Sequence, residues 1–389
     1  MKPKISRRFF VTNVTAVTLS QLLFGCSYGK QKLQILLLEN SIPLQSIADF
    51  RKQIDQTKKI DFQPNGNLLT IFDLLKNGQN STELNKKINI LSRILNSSPQ
   101  SINLATLGDY WLAKAIQQKL IEPLNPEELN NWQKIPFSWQ KLVKRDKEGK
   151  LAEDGLVFGA PYRWGSTIIA YRSDKFKQLE WTPKDWQDLW KPELRDRISL
   201  LDSPREVIGL TLKKLGHSYN TNDLSAITNL ESQLQALHQQ VKFYSSQNYL
   251  QPLILGDTWL AVGWSSDILP LVKRYPKIKF VIPQSGSSLW SDVWVKPQAT
   301  ADGTEETNLI SQWIDFCWEN RPAEQISLFT ESISPIWAGK DLQQLPKNLQ
   351  NNSFLSSEAL STENSEFLLP LDTESEKQYR NLWLKIRQG

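Results

Sequence analysis

Apolar and polar positions along this chain fall into short runs that predict strands and helices in alternation. Lys32 to Leu38 (KLQILLL) is a continuous apolar run bounded by Glu39-Asn40, the pattern of a buried first strand. Leu44, Ile47, Phe50 and Ile54 then recur at helical spacing from Pro43 onward. Lys59 to Phe62 predicts a second strand ending in the turn Gln63-Pro64-Asn65-Gly66, and Leu68 to Leu75 a helix closed by Asn77-Gly78. Ser101 to Leu107 predicts a third strand, after which Gly108-Asp109 opens a helix to Leu120 with Asp109 as its N-cap. For the first lobe this order implies a parallel sheet with helices on both faces.

The polar stretch from Leu124 to Gly155, with Pro126, Pro136 and the run KRDKEGKLAED, predicts solvated surface segments. Thr167 to Tyr171 predicts a strand, and Gly159-Ala160-Pro161 before it suits a crossing between two lobes. From Trp181 to Gly209 the pattern is a short helix with three tryptophans, a basic turn and the strand Ile198 to Leu201. The polar tip Asp202-Ser203-Pro204-Arg205-Glu206 follows, where Pro204 starts a helix running from Val207 to Leu215. Leu224 to Gln240 predicts one long helix, and 241–244, 259–263 and 279–283 predict strands. Gln284 to Ser288 reads as a second crossing before the strand Leu289 to Val295. Helices are expected at 309–318, 323–328 and 374–386.

A length of 389 residues implies two lobes rather than one simple core. Two histidines and no Cys/His cluster argue against a metal or haem site, and no cofactor motif occurs. The net charge of +5 owes +4 to Lys2, Lys4, Arg7 and Arg8 in the first 25 residues, so no global basic charge remains to bind nucleic acid. Those residues precede a moderately apolar stretch, Phe9 to Phe24, and read as an export signal. Ser6-Arg7-Arg8-Phe9-Phe10-Val11 resembles a twin-arginine motif, and Leu23-Phe24-Gly25-Cys26 resembles a lipobox, with Cys26 as the lipidated residue. Cys317 is the one other cysteine; its helical, amphipathic setting predicts a buried structural thiol.

Four segments carry a family resemblance: Ala160-Pro161-Tyr162-Arg163-Trp164-Gly165-Ser166-Thr167; WQDLWKPELRDRISLLDSPREVIGLTLKKLG from Trp186; Ala261-Val262-Gly263-Trp264-Ser265; and SLWSDVWVK from Ser288. Together they resemble the extracellular solute-binding proteins of ABC transporters, nearest the spermidine/putrescine-binding group. The resemblance implies an α/β, two-lobe periplasmic-binding-protein fold of type II-like form. Each lobe would be a mixed, mostly parallel sheet flanked by helices, and ligand would be held between the lobes as they close. The first lobe is expected at 31–160 plus about 284–332 and the second at 161–283 plus about 333–389, after a signal peptide at 1–26. The implied partners are a small solute, an inner-membrane ABC permease and the membrane through lipid on Cys26. The implied protein is an exported monomer that is not an enzyme and carries no cofactor.

The resemblance also implies a polyamine-type site. Aromatic faces would bury methylenes and attract ammonium groups, and carboxylates would fix their spacing. Glu206, Trp264, Trp290, Asp292, Asp109, Tyr110 and Ser203 are the expected contacts. Trp290 and Asp292 lie two apart on one strand and so share a face. Two departures bear on the ligand. Ser203 stands where the group carries a carboxylate three residues before the glutamate, with Asp202 as the nearby acid. Leu38-Glu39-Asn40-Ser41-Ile42-Pro43 lacks the aromatic pair of the group's first strand. A cationic ligand with Glu39 or Asp109 compensating, a different small polar solute, and an exported hydrolase using Asp202 and Glu206 remain the alternatives, alongside a sensory protein that kept the fold.

Overall fold

The computed structural model describes residues 33–55, 58–87, 102–298, 304–352, 354 and 364–388, so the export signal and Cys26 lie outside the described residues. The first apolar run forms β1 (Leu33–Leu38), parallel to β2 (Ile60–Asn65) on one side and β3 (Leu104–Gly108) on the other. The connecting helices are α1 (Leu44–Gln53) and α2 (Leu68–Lys87). Then come α3 (Leu112–Gln117), β4 (Ile121–Glu122), α4 (Phe137–Val143) and the hairpin β5 (Lys144–Arg145) with β6 (Leu156–Val157).

Strand β7 (Ala160–Arg172) leads to α5 (Ser173–Gln178), β8 (Ile198–Leu200), α6 (Pro204–Lys214), α7 (Leu230–His238) and β9 (Val241–Tyr244). They are followed by α8 (Gln251–Leu255), β10 (Leu260–Trp264), α9 (Ser265–Arg274), β11 (Ile278–Val281) and β12 (Ser288–Pro297). The chain ends in α10 (Thr304–Cys317), α11 (Asn320–Thr330), α12 (Lys347–Gln350), β13 (Glu366–Phe367) and α13 (Thr373–Gln388).

The main sheet runs β2-β1-β3-β12-β7-β10-β8-β9. Both ends of this order are parallel, and the middle pairs β3-β12, β12-β7 and β7-β10 are antiparallel. The expected mixed α/β sheet is thus observed. Strand β7 joins the two ends. Its residues 160–166 pair with β12, and Thr167–Tyr171 pair with β10. The expected strand was Thr167 to Tyr171 alone; the observed one begins seven residues earlier, because Ala160 to Ser166 are all buried and find ladder partners in β12.

Buried side chains form two clusters. One gathers Ile35, Phe50, Leu104, Trp294, Trp313 and their neighbours; the other gathers Trp186, Leu200, Val207, Leu234, Leu260 and Tyr379. The C-terminal segment divides between them: Ile333, Trp337, Leu349 and Phe354 pack in the first cluster, and Tyr379, Trp383 and Ile386 of α13 in the second. Cys317 is buried, as its setting predicts, and burial raises its thiol far above the usual range.

Four expectations differ from the structure. Strand β2 runs through the predicted turn at Gln63-Pro64, which an edge strand tolerates since Pro64 need not donate outward. Helix α2 continues past Gly78. The predicted long helix from Leu224 is a 3-10 turn at Leu224–Ala226 followed by α7, separated by Asn229 in the left-handed region at φ 66°. The segment from Leu124 to Gly155 is not solvated loop: Trp132, Trp139, Leu142 and Val143 are buried, and the Arg145 guanidinium is held by the carbonyls of Leu142 and Gly149 at 2.9 and 3.2 Å.

Helix α6 sits tightly on the loop that follows it. A Cβ at Gly209 would overlap the buried Tyr219 ring. Gly209→Ala is expected to cost about 1–3 kcal/mol through overpacking, read as a lower urea midpoint with unchanged slope.

Candidate functional site

The seam where β7 passes from β12 to β10 gathers most of the predicted site. Glu206 is the third residue of α6, where the helix dipole favours a carboxylate, and it is buried. Its Oε1 accepts from the Thr167 hydroxyl at 3.2 Å and its Oε2 from the Ser288 hydroxyl at 2.7 Å. Thr167 is the first residue of β7 to pair with β10, and Ser288 is the first residue of β12. Burial raises the Glu206 pKa; the Ser288 and Thr167 hydroxyls, the Arg205 charge and the Trp264 indole oppose it.

Trp264 ends β10 half-buried beside this carboxylate. Its backbone N–H donates to the Tyr249 hydroxyl at 3.1 Å, which itself donates to Asp267 Oδ2 at 2.8 Å. Asp267 is exposed, and the part of its carboxyl that meets the Tyr249 hydroxyl is partly buried. This raises its pKa, against the Tyr249 hydrogen bond and the Arg163 charge.

Asp109 and Tyr110 come from the other side of the seam. Asp109 is not the N-cap expected of it: it opens a 3-10 turn, Asp109–Trp111, and its Oδ1 accepts the backbone N–H of Ser291 on β12 at 2.8 Å. The β3-β12 ladder ends there, at Gly108 opposite Asp292, so the carboxylate satisfies the next donor along. Burial pushes Asp109 up to about 7, with the Asp292 charge adding to it and Ser291 and Arg145 opposing. Tyr110 is half exposed, yet burial raises its hydroxyl, and the charges of Arg205, Glu376 and Glu206 reach it. Its ring meets that of the neighbouring Trp111 edge-on, 5.9 Å between centres.

Trp290 and Asp292 share a face of β12, as their spacing predicts. Trp290 pairs opposite Gly165, where a Cβ would overlap the indole, so the glycine lets the ring lie on the strand. Asp292 is buried and pairs opposite Arg163, whose Nε and Nη2 donate to Oδ2 at 2.8 and 2.6 Å. Burial still raises the Asp292 pKa, opposed by that guanidinium. The Arg163 guanidinium carbon also lies 5.7 Å from the centre of the Trp290 ring.

Ser203 is half-buried at the N-cap position of α6 but makes no capping bond; its carbonyl accepts from Val207 N–H at 3.0 Å. Asp202 does not fill the place of a missing acid. Asp202 is exposed and bonded to Arg387 of α13 at 2.9 Å, and Glu39 is exposed at the end of β1. The Asp202 and Glu206 carboxylates therefore have different surroundings, one at the surface and one buried at the seam, which gives the hydrolase reading no carboxylate pair. Two surface depressions of about 410 and 730 Å³ lie elsewhere, lined by the 180–191 segment and by α7 with α13.

Sequence reasoning missed Arg163, Thr167, Tyr249, Asp267 and Ser288 as site residues. Arg163 stood in plain view at the variable position between Tyr162 and Trp164. Asp267 lies on α9, which was not predicted because Pro270 interrupts its pattern.

A sheet in which one strand, β7, is shared between two halves and polar groups gather at the shared seam suits a protein that holds a small molecule between lobes. Residues 101–357 match the model of the bacterial extracellular solute-binding proteins, and the chain belongs to that family. It is 25% identical over 258 residues to the putrescine/cadaverine-binding protein of Pseudomonas aeruginosa, covering 63% of this chain and 71% of that one. It is 25% identical over 287 residues to the spermidine/putrescine-binding periplasmic protein of Escherichia coli, covering 74% and 78%. The structure of the spermidine/putrescine ABC transporter substrate-binding protein of Streptococcus pneumoniae superimposes with a TM-score of 0.73 at 20% identity, over 92% of this chain and 99% of that one. The resemblance read from the four motifs is upheld for family, group and fold. Among the described residues no helix is long and apolar enough to cross a membrane.

The raised carboxyl groups have a measurable consequence. Between the ordinary aspartate value of 3.8 and about 7, folded Asp109 keeps a proton that the unfolded chain has released. Stability therefore falls as pH rises through that window, by up to about 1.4 kcal/mol per pH unit. Glu206, Asp267 and Asp292 shift in the same direction. Asp109→Asn keeps an acceptor for Ser291 and is expected to flatten the slope and raise stability at pH 7.5 relative to the parent, in urea unfolding at pH 4.5, 6 and 7.5.

Proposed function

We propose that this protein is the substrate-binding component of an ABC importer and that it captures a small organic cation of the polyamine class by closing two lobes over it. The lobes are residues 31–160 with about 284–332, and 161–283 with the C-terminal helix; the 333–354 segment follows the first lobe, with which it packs. The observation that carries the reading is Glu206. It is a buried carboxylate held by two hydroxyls at the seam, beside a half-buried tryptophan, with a second carboxylate three residues past that tryptophan. Desolvated carboxylates next to an indole favour a cation with an aliphatic body. The polyamine-binding relatives support the same ligand class. Asp109 and Tyr110 face the seam from the first lobe, and Ser203 sits at its margin.

Capture needs no bond-making chemistry, and the site residues serve as ligands rather than catalysts. Export through the twin-arginine-like signal and lipid on Cys26 would hold the protein at the outer face of a membrane, next to its permease. It acts as a monomer.

The mature protein is expected to gain melting temperature with at least one of putrescine, cadaverine, spermidine or spermine, by mass action. A shift with an unrelated solute and none with any amine would refute the ligand class while leaving the fold intact. Glu206→Gln keeps the shape of the side chain and removes its charge. It is expected to weaken the best amine by about 10- to 100-fold in calorimetry, since a hydrogen bond to a charged group contributes about 1.5–3 kcal/mol.

A further inference from the structure

Trp290 and Asp292 have the chemistry of a cation subsite, an aromatic face beside a buried carboxylate. That subsite already holds a cation. Arg163 places its guanidinium carbon 5.7 Å from the Trp290 ring centre while two of its nitrogens reach Asp292 Oδ2 at 2.8 and 2.6 Å. The contacts are those expected of a bound ammonium or guanidinium group. They are tethered by the backbone, since Arg163 and Asp292 are direct partners in the β7-β12 ladder. Both side chains are more than nine-tenths buried, at 6% and 5% exposure. Gly165 holds the indole in place, because only a residue without Cβ lets the ring lie across β7.

We propose that Arg163 is a built-in occupant of the Trp290–Asp292 subsite and so sets ligand length. With Asp292 taken by Arg163 and Asp109 by the Ser291 N–H, the described residues of the cleft offer a solute the carboxylates of Glu206 and Asp267, and the cleft selects a short diamine or monoamine over a longer polyamine. Asp267 is suited to the second contact. It opens α9 three residues after Trp264, is oriented by the Tyr249 hydroxyl at 2.8 Å, and keeps an exposed side chain. Asp292, by contrast, is buried and already shares an oxygen with two donors. A free ammonium arriving at Asp292 would have to displace a partner that loses nothing in translational freedom by binding, since it is part of the chain. The inference rests on the amine reading given above and adds to it a limit on length and the residue responsible.

The test compares putrescine with spermidine by calorimetry on the parent, on Arg163→Ala, and on the double variant Arg163→Ala/Asp292→Asn. The parent is expected to prefer putrescine at least tenfold. Arg163→Ala leaves Asp292 buried and unpaired beside an emptied pocket, which a third ammonium can fill; the preference is expected to move toward spermidine by at least tenfold. The double variant is expected to lose that gain. An unchanged preference in folded Arg163→Ala overturns the proposal and leaves the amine reading standing. Amines that bind none of the three proteins overturn both together. A crystal structure of the parent with putrescine decides the matter even if the single variant does not fold. Arg163 remaining over Trp290, with the ligand at Glu206 and Asp267, supports the proposal; ligand nitrogen on Asp292 with Arg163 displaced refutes it.

Discussion

The antiparallel ladder between β7 and β12 is the constraint on which the rest of the molecule depends. It lies at the centre of the sheet order, whose two ends are parallel. Because β7 changes partner from β12 to β10 between Ser166 and Thr167, one continuous strand belongs to both halves. Every group at the seam is placed by that change. Thr167 reaches Glu206, Ser288 reaches the same carboxylate from β12, and the Ser166 N–H bonds the Ser265 hydroxyl at the start of α9. A site built on a ladder rather than on loops is held to the precision of strand pairing.

Polar groups buried at such a seam need partners, and its charged groups find them within the seam, although the Trp164 and Trp290 indole N–H groups do not. Arg163 and Asp292 satisfy each other across the ladder, Asp109 takes the Ser291 N–H, and the Glu206 oxygens are both hydrogen-bonded. Arg205, next to Glu206, turns away to the Leu369 carbonyl and the Asn220 side chain at 3.0 and 2.9 Å. One turn of α6 thus sends a carboxylate to the seam and a guanidinium to the tail that precedes α13.

Much of the fold was legible because burial leaves a local mark. Leu33 to Leu38 and Leu260 to Trp264 are strands within a residue of expectation, since their apolar runs match a buried strand, while the helix expected at 309–318 ends within a residue of it but starts five residues earlier, at Thr304. Where the reading failed, the deciding partner was distant in sequence. The segment at 124–155 looked solvated because its lysines and acids outnumber its tryptophans, yet Trp132 packs against Trp318. Asp109 looked like a cap because its neighbours open a helix, and nothing local announces Ser291. The site divides the same way. Glu206, Trp264, Trp290 and Asp292 were candidates through motif order. That Arg163 answers Asp292 depends on the register between strands 129 residues apart, which no window of sequence displays.

Asp109, buried at the seam and pushed up to about 7, holds a proton that a neighbouring positive charge would loosen. A cation taken up beside it is therefore exchanged in part for that proton, and uptake strengthens as pH rises through the same window in which the fold itself loses stability. One carboxyl group thus sets occupancy of the seam and stability of the chain against each other.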